Sequence, residues 1–153
     1  MKVELPDLAA MTRFGEAIAA KLRPGDVVAL SGTLGAGKTT LARAILAALG
    51  HAGEVPSPSF AIFELYDPPG IRLPVTHADF YRLEHPQEVG ALGLDDYREG
   101  RALIAEWPEN AGGFAHEPVC LAIHLELLPE SSTSGRIAIV EGGRDWLGRM
   151  PCL

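Results

Sequence analysis

Residues 32–39 read Gly-Thr-Leu-Gly-Ala-Gly-Lys-Thr, and these eight positions restrict the possible folds of this chain more than any other stretch. Phosphate oxygens are reached by backbone N–H groups only where no bulky side chain intervenes, which is the role of Gly32, Gly35 and Gly37. Lys38 adds a mobile positive charge for β/γ-phosphates, the Thr39 hydroxyl suits Mg2+, and Thr40 adds a donor near an α-phosphate. The helix that starts there contributes the positive end of its dipole. Such a motif is meaningful between a strand and a helix. Val27-Val28-Ala29-Leu30 reads as the buried strand, and the alanine- and leucine-rich run 40–49, closed by Gly50, as the helix. The pattern commits the chain to an α/β architecture around a nucleoside triphosphate.

The remaining segments predict how that core is completed. Asp7 caps a first helix whose apolar positions Leu8, Met11, Phe14, Ile18 and Leu22 follow helical spacing, and Arg23-Pro24-Gly25 turns into the phosphate-loop strand. Further strands are expected at 61–66, 72–79, 102–105, 119–127 and 136–140, with a turn at Asp67-Pro68-Pro69-Gly70 and a short helix at 86–92. Several of these strands follow one another without a helix long enough for a parallel crossover. The expectation is a single P-loop domain over residues 1–153, built on a mixed parallel and antiparallel sheet flanked by helices. The phosphate-loop strand is central in it, and antiparallel strands lie toward an edge.

Composition narrows the function. An apolar content of 47% supplies a core, yet no stretch approaches the length of a membrane span and residues 1–6 lack the apolar run of a secretory signal, so a soluble, cytoplasmic protein is expected. Cys120 and Cys152 are too few and too separated for a metal knuckle or a disulfide framework and read as free thiols. A net charge of −7 argues against a broad surface that tracks nucleic-acid phosphates, so any nucleic-acid role is shared with partners.

A nucleotide-hydrolysing site also needs carboxylates that hold the metal and orient a water. Glu106 ends the apolar run Ala102-Leu103-Ile104-Ala105, where an acid emerges from a sheet beside the cation, and Asp79 ends the preceding strand-like segment. His77 reads as structural, hydrogen-bonded at the strand end, because a transition-metal site at His77 and Asp79 lacks further ligands at matching spacing. Tyr81 and Arg82 read as packing and surface residues, with Arg82 also able to answer a phosphate. The hydroxyls of Ser57-Pro58-Ser59-Phe60 serve equally well in a stiff turn or in a loop that senses a γ-phosphate. Core packing is the usual place for a tryptophan such as Trp107.

Taken in order, Leu34-Gly-Ala-Gly-Lys-Thr-Thr40, Ser57-Pro58-Ser59-Phe60, His77-Ala-Asp79-Phe-Tyr81-Arg82-Leu83 and Glu106-Trp107-Pro108-Glu109 resemble the TsaE family over nearly the whole chain. These are small bacterial P-loop ATPases needed to make threonylcarbamoyladenosine in tRNA. The resemblance implies magnesium-dependent ATP hydrolysis in support of TsaD and TsaB, with tRNA held by those partners. It implies a nucleotide site of Gly32, Gly35, Ala36, Gly37, Lys38, Thr39, Thr40 and Arg136, a magnesium site of Thr39 and Glu106, and catalytic roles for Asp79 and Glu106, with Trp107 nearby. The chain departs from the family pattern at Thr33, where an acid is common, and at Pro56, where threonine is frequent.

The main alternative is a P-loop metabolite kinase, which needs an arginine-bearing lid; Arg98 and Arg101 keep that reading open. A module that holds nucleotide without turnover is a further alternative. A GTPase is disfavoured because Asp67-Pro-Pro-Gly70 reads as a turn and no guanine-reading Asn-Lys-x-Asp occurs.

Overall fold

The strand that leads into the phosphate loop sits in the middle of a mixed sheet, where both of its edges are paired. A computed structural model of the chain describes residues 1–58, 62–128 and 135–152. Along them come β1 (Lys2–Leu5), α1 (Leu8–Lys21), β2 (Val27–Gly32), α2 (Lys38–Ala48), β3 (Phe63–Tyr66) and β4 (Val75–Asp79). Then follow α3 (Glu88–Leu92), α4 (Leu94–Arg98), β5 (Ala102–Glu106), β6 (Cys120–Leu127) and β7 (Arg136–Gly142), with 3-10 turns at Pro108–Ala111 and Arg144–Trp146. The described residues form a seven-stranded sheet in the order β1-β7-β6-β2-β5-β4-β3. Its centre is parallel, β6 with β2, β2 with β5 and β5 with β4. The β1–β7, β6–β7 and β3–β4 pairs are antiparallel.

The mixed α/β sheet, the central phosphate-loop strand and the flanking helices agree with the sequence-based expectation. Antiparallel pairing, however, closes both edges of the sheet and not one. The second edge depends on β1, which was not foreseen: its four residues alternate charged and apolar, and their partner strand lies at the far end of the chain, Lys2 opposite Ile139 and Leu5 opposite Arg136. The expected strand at 72–79 begins only at Val75, because the Arg72 N–H is taken by the Leu49 carbonyl at 2.9 Å and Pro74 has no N–H to give. The strand expected from residue 61 is observed as Phe63–Tyr66; residue 61 lies outside the described residues. The helix at 86–92 is shorter, Glu88–Leu92, and α4 follows it unannounced.

Alternation along the central strands fills two cores. Val28 and Leu30 of β2, Ile104 of β5 and Leu121 and Ile123 of β6 point to the face covered by α1 and α2. Val27, Ala29, Leu103 and Ala105 point to the other face, beneath Phe80, Leu94 and Phe114. Asp7 caps α1 by accepting from the Ala10 N–H at 2.8 Å, and α1 lies against α2 with its apolar stripe inward. Among the described residues, no helix is long and apolar enough to cross a membrane.

The two helices approach closely at Gly15, where an added Cβ falls 2.5 Å from the Cβ of Ala44 and 2.9 Å from its carbonyl carbon. Because the obstruction includes backbone, it cannot be relieved by a rotamer change. Gly15→Ala is therefore expected to destabilise the protein by about 1–3 kcal/mol despite alanine's higher helix propensity. Urea denaturation of the two proteins checks this; equal or higher stability of the alanine variant would contradict the close approach.

Candidate nucleotide site

Strand parity gathers the polar groups. Val75, His77 and Asp79 share one face of β4, and Ala102, Ile104 and Glu106 share the same face of β5, with Asp79 directly opposite Glu106 in the parallel register. This is the face on which α2 lies, and on the other side of β5 the register sets Leu30 of β2 beside Glu106. From β2 the chain runs through α2 to β3 and β4 on one side, whereas the adjacent β6 leads away to β7 on the other, so the end of β2 lies at a topological switch point and a crevice opens beyond the strand ends.

The loop after β2 is shaped by glycines at two positions where other residues do not fit. At Gly32, φ is +137° and a Cβ would lie 2.5 Å from the Leu125 carbonyl oxygen; Gly37 caps α2 at φ +105°. Two cations hold the loop's carbonyl groups. The Lys38 ammonium donates to the carbonyls of Gly32 and Thr33 at 2.7 and 2.9 Å. From the start of β7, Arg136 donates to the carbonyls of Ala36 and Gly35, both at 2.9 Å. The N–H groups of the first turn of α2 have no intrahelical partner and carry the positive end of its dipole.

Across from them, Thr39 Oγ1 donates to Glu106 Oε1 at 2.7 Å, and His77 Nε2 lies 2.6 Å from Glu106 Oε2. Asp79 Oδ1 accepts the Tyr81 N–H at 2.9 Å. Glu106, Asp79 and His77 are all buried. Trp107, at φ +55°, turns back so that the Lys38 ammonium sits 4.3 Å from its ring centroid and Tyr81 packs against it. Burial lowers the Lys38 pKa below the usual lysine value, against the opposing pull of the Glu106, Glu109 and Asp79 carboxylates.

A cleft of about 480 Å3 brings together Gly35, Gly37, Lys38, Thr39, Thr40, Asp79, Glu106 and Arg136 of the expected site. Gly32 and Ala36 stand behind it: the Gly32 carbonyl accepts from Lys38, and Ala36 is buried with its N–H on the Thr33 carbonyl. Ser57 lines the cleft, whereas Ser59 and Phe60 lie outside the described residues.

Two residues are nearer to the chemistry than their sequence context suggested: Tyr81 and Arg82, expected as packing and surface residues, line the cleft. Trp107 lines it too, as the family resemblance implies, while also packing against the core on the other face of the sheet. His77 is hydrogen-bonded as expected, but to the carboxylate of Glu106. The period-two spacing of His77 and Asp79, which puts both on one strand face, was the available signal. By contrast, Arg98 and Arg101, the candidate lid residues, are held elsewhere. Arg98 forms a two-pronged ion pair with Glu117, and Arg101 binds Asp67, the Thr76 hydroxyl and the carbonyls of Tyr66 and Val75.

Residues 5–136 match the family model described as threonylcarbamoyl adenosine biosynthesis protein TsaE. The chain belongs to the TsaE family. Its relatives include the tRNA threonylcarbamoyladenosine biosynthesis protein TsaE of Haemophilus influenzae, 38% identical over 119 residues that cover 74% of each chain. The TsaE of Streptomyces coelicolor is 42% identical over 65% of this chain and 68% of its own. The crystal structure of Bacillus subtilis YdiB superposes with a TM-score of 0.73 at 28% identity, covering 95% of this chain and 88% of that one. The TsaE match ends at the arginine that clamps the loop, Arg136, so it spans every cleft-lining residue named above.

Proposed function

We propose that this TsaE-family protein binds MgATP in the cleft and hydrolyses it in support of threonylcarbamoyladenosine formation in tRNA, acting with TsaD and TsaB. The observation that carries the reading is the 2.7 Å bond between Thr39 of the phosphate loop and Glu106 at the end of the neighbouring strand. It joins a hydroxyl and a carboxylate, the hard oxygen donors that magnesium takes, at the positive end of a helix.

The cleft chemistry fits that pair of ligands. A polyphosphate entering here meets Lys38, Arg82 and Arg136, but also the carboxylates of Asp79 and Glu106. A divalent cation between the two sets of negative charge removes their repulsion, with Thr39 and Glu106 as the residues to hold it. Magnesium would supply neutralisation of phosphate charge. Lys38 would release the loop carbonyls and take the phosphates, while the loop N–H groups receive the remaining oxygens. Asp79, fixed at Oδ1 by the Tyr81 N–H, is the acid in place to orient a water for attack on the γ-phosphorus, with ADP leaving. The open cleft excludes water poorly, so turnover by the isolated chain is expected to be slow and to rise when partners cover it.

Titration calorimetry with MgATP tests binding, and ATP consumption with and without TsaD and TsaB tests coupling. Asp79→Ala and Glu106→Gln are expected to bind ATP but to lose turnover on the order of 10²-fold or more, since they act on water and cation more than on the phosphates. Loss of binding equal to that of a Lys38 variant would defeat this division of roles. Transfer of the phosphoryl group to a metabolite would favour the kinase reading, although both arginines that kept it open are engaged away from the cleft.

A further inference from the structure

His77 is fully buried in β4, and its Nδ1 has no hydrogen-bond partner among the described residues. Core packing does not account for an imidazole there, because an apolar side chain of similar size would leave no nitrogen unsatisfied. What the imidazole supplies is the contact at its other nitrogen. A carboxylate offers only acceptor oxygens, so Nε2 carries the hydrogen given to Glu106 Oε2 at 2.6 Å.

Glu106 is thereby held at both oxygens from two different elements, Oε1 by Thr39 at the start of α2 and Oε2 by His77 in β4. The two donors are not equivalent. A threonine hydroxyl turns about its C–O bond and follows the acceptor, whereas an imidazole N–H has a fixed direction in the ring plane, and this ring is clamped in a closed core. The hydroxyl alone cannot set the plane of the carboxylate; the two together can.

We infer that His77 is a positioning residue of the cation site: its Nε2–H fixes the carboxylate of Glu106 so that Oε1 is presented to Thr39 and to the metal. This rests on the reading of Thr39 and Glu106 as the magnesium ligands. Groups that orient a ligand from behind commonly change metal affinity about 10- to 100-fold when removed.

The test measures Mn2+ binding, by electron paramagnetic resonance, to the full chain loaded with a non-hydrolysable ATP analogue. His77→Ala should weaken Mn2+ binding about tenfold or more, while affinity for the analogue in the presence of EDTA stays unchanged. His77→Gln, whose amide nitrogen reaches toward the position of Nε2, should recover most of the loss, and His77→Asn, which reaches only toward Nδ1, should not. In the metal-free protein, 15N NMR should show a protonated Nε2. Unchanged Mn2+ affinity in a folded His77→Ala, equal rescue by Asn and Gln, or an Nε2 without a hydrogen would each overturn the inference. If His77→Ala does not fold, the Gln–Asn comparison and the NMR decide. Thr39→Ala and Glu106→Gln are the controls. If they weaken Mn2+ binding and the His77 variants do not, this inference alone fails; if they too leave it unchanged, the magnesium-site reading fails and takes the inference with it.

Discussion

Lys38→Ala is expected to eliminate measurable MgATP binding while leaving the protein folded. The side chain is buried, sits over the Trp107 ring, and donates to two loop carbonyls. Truncating one partner of a desolvated charge pair costs about 2–5 kcal/mol, or roughly 30- to several thousand-fold in Kd. Calorimetry on the two proteins checks the loss, and circular dichroism checks the fold; full-strength binding by the alanine variant would remove Lys38 from the site.

The same residue gives a pH dependence of definite sign. Burial has already lowered its pKa, and a bound polyphosphate favours the charged form, so binding draws in a proton once the free lysine begins to lose its own. ATP affinity should therefore fall as pH rises through the lowered value, earlier than an ordinary lysine would allow. Titrations from neutral to alkaline pH in buffers of different ionisation enthalpy would reveal the proton uptake.

A stability loss of comparable size is expected at the opposite end of β2. Arg149 forms a two-pronged pair with Asp26, both contacts at 2.6 Å, donates to the carbonyls of Lys21 and Asp145, and lies 4.1 Å from the centroid of the Trp146 ring. Asp26 in turn accepts the Arg23 N–H at 2.7 Å. The hydrogen bonds to Asp26 hold the guanidinium pKa above its ordinary value against the cost of burial. This network joins the last turn of α1, the start of the phosphate-loop strand and the C-terminal turn. Removing one member leaves a buried charge without its counterpart, so Arg149→Ala or Asp26→Ala should cost about 3–5 kcal/mol and lower Tm by roughly 6–20 °C. Each single variant should be hurt more than a double variant with apolar residues at both positions, since the double change removes the stranded charge. Denaturant midpoints for the three proteins measure the difference; near-additive losses would mean that the pair is not coupled.

Much of the architecture was legible because it follows from local periodicity. The helical spacing from Leu8 to Ile18, the apolar run 27–30 and the stop at Gly50 each report an environment that neighbouring residues share, and α1, β2 and α2 follow them closely. The strand β1 was not legible. Its four residues make no sense without β7, and nothing local announces a partner more than a hundred residues away. Likewise, the early end of pairing at Pro74 depends on which carbonyl Arg72 meets, which only the folded chain decides.

The sequence by itself determined the glycine-lined loop, its lysine and threonine, the two strand-end acids and the family to which they belong, because each of these is carried by residue type and spacing. Only the tertiary structure decided how the parts meet. The parallel register of β4, β5 and β2 stacks Asp79 beside Glu106, turns His77 onto the carboxylate and folds Trp107 over Lys38, while the antiparallel pairing of β7 with β6 brings Arg136 to the loop carbonyls. Spacing along a chain fixes which face a side chain takes. The choice of neighbouring strand and its register, set by burial over the whole sheet, fixes what that side chain touches.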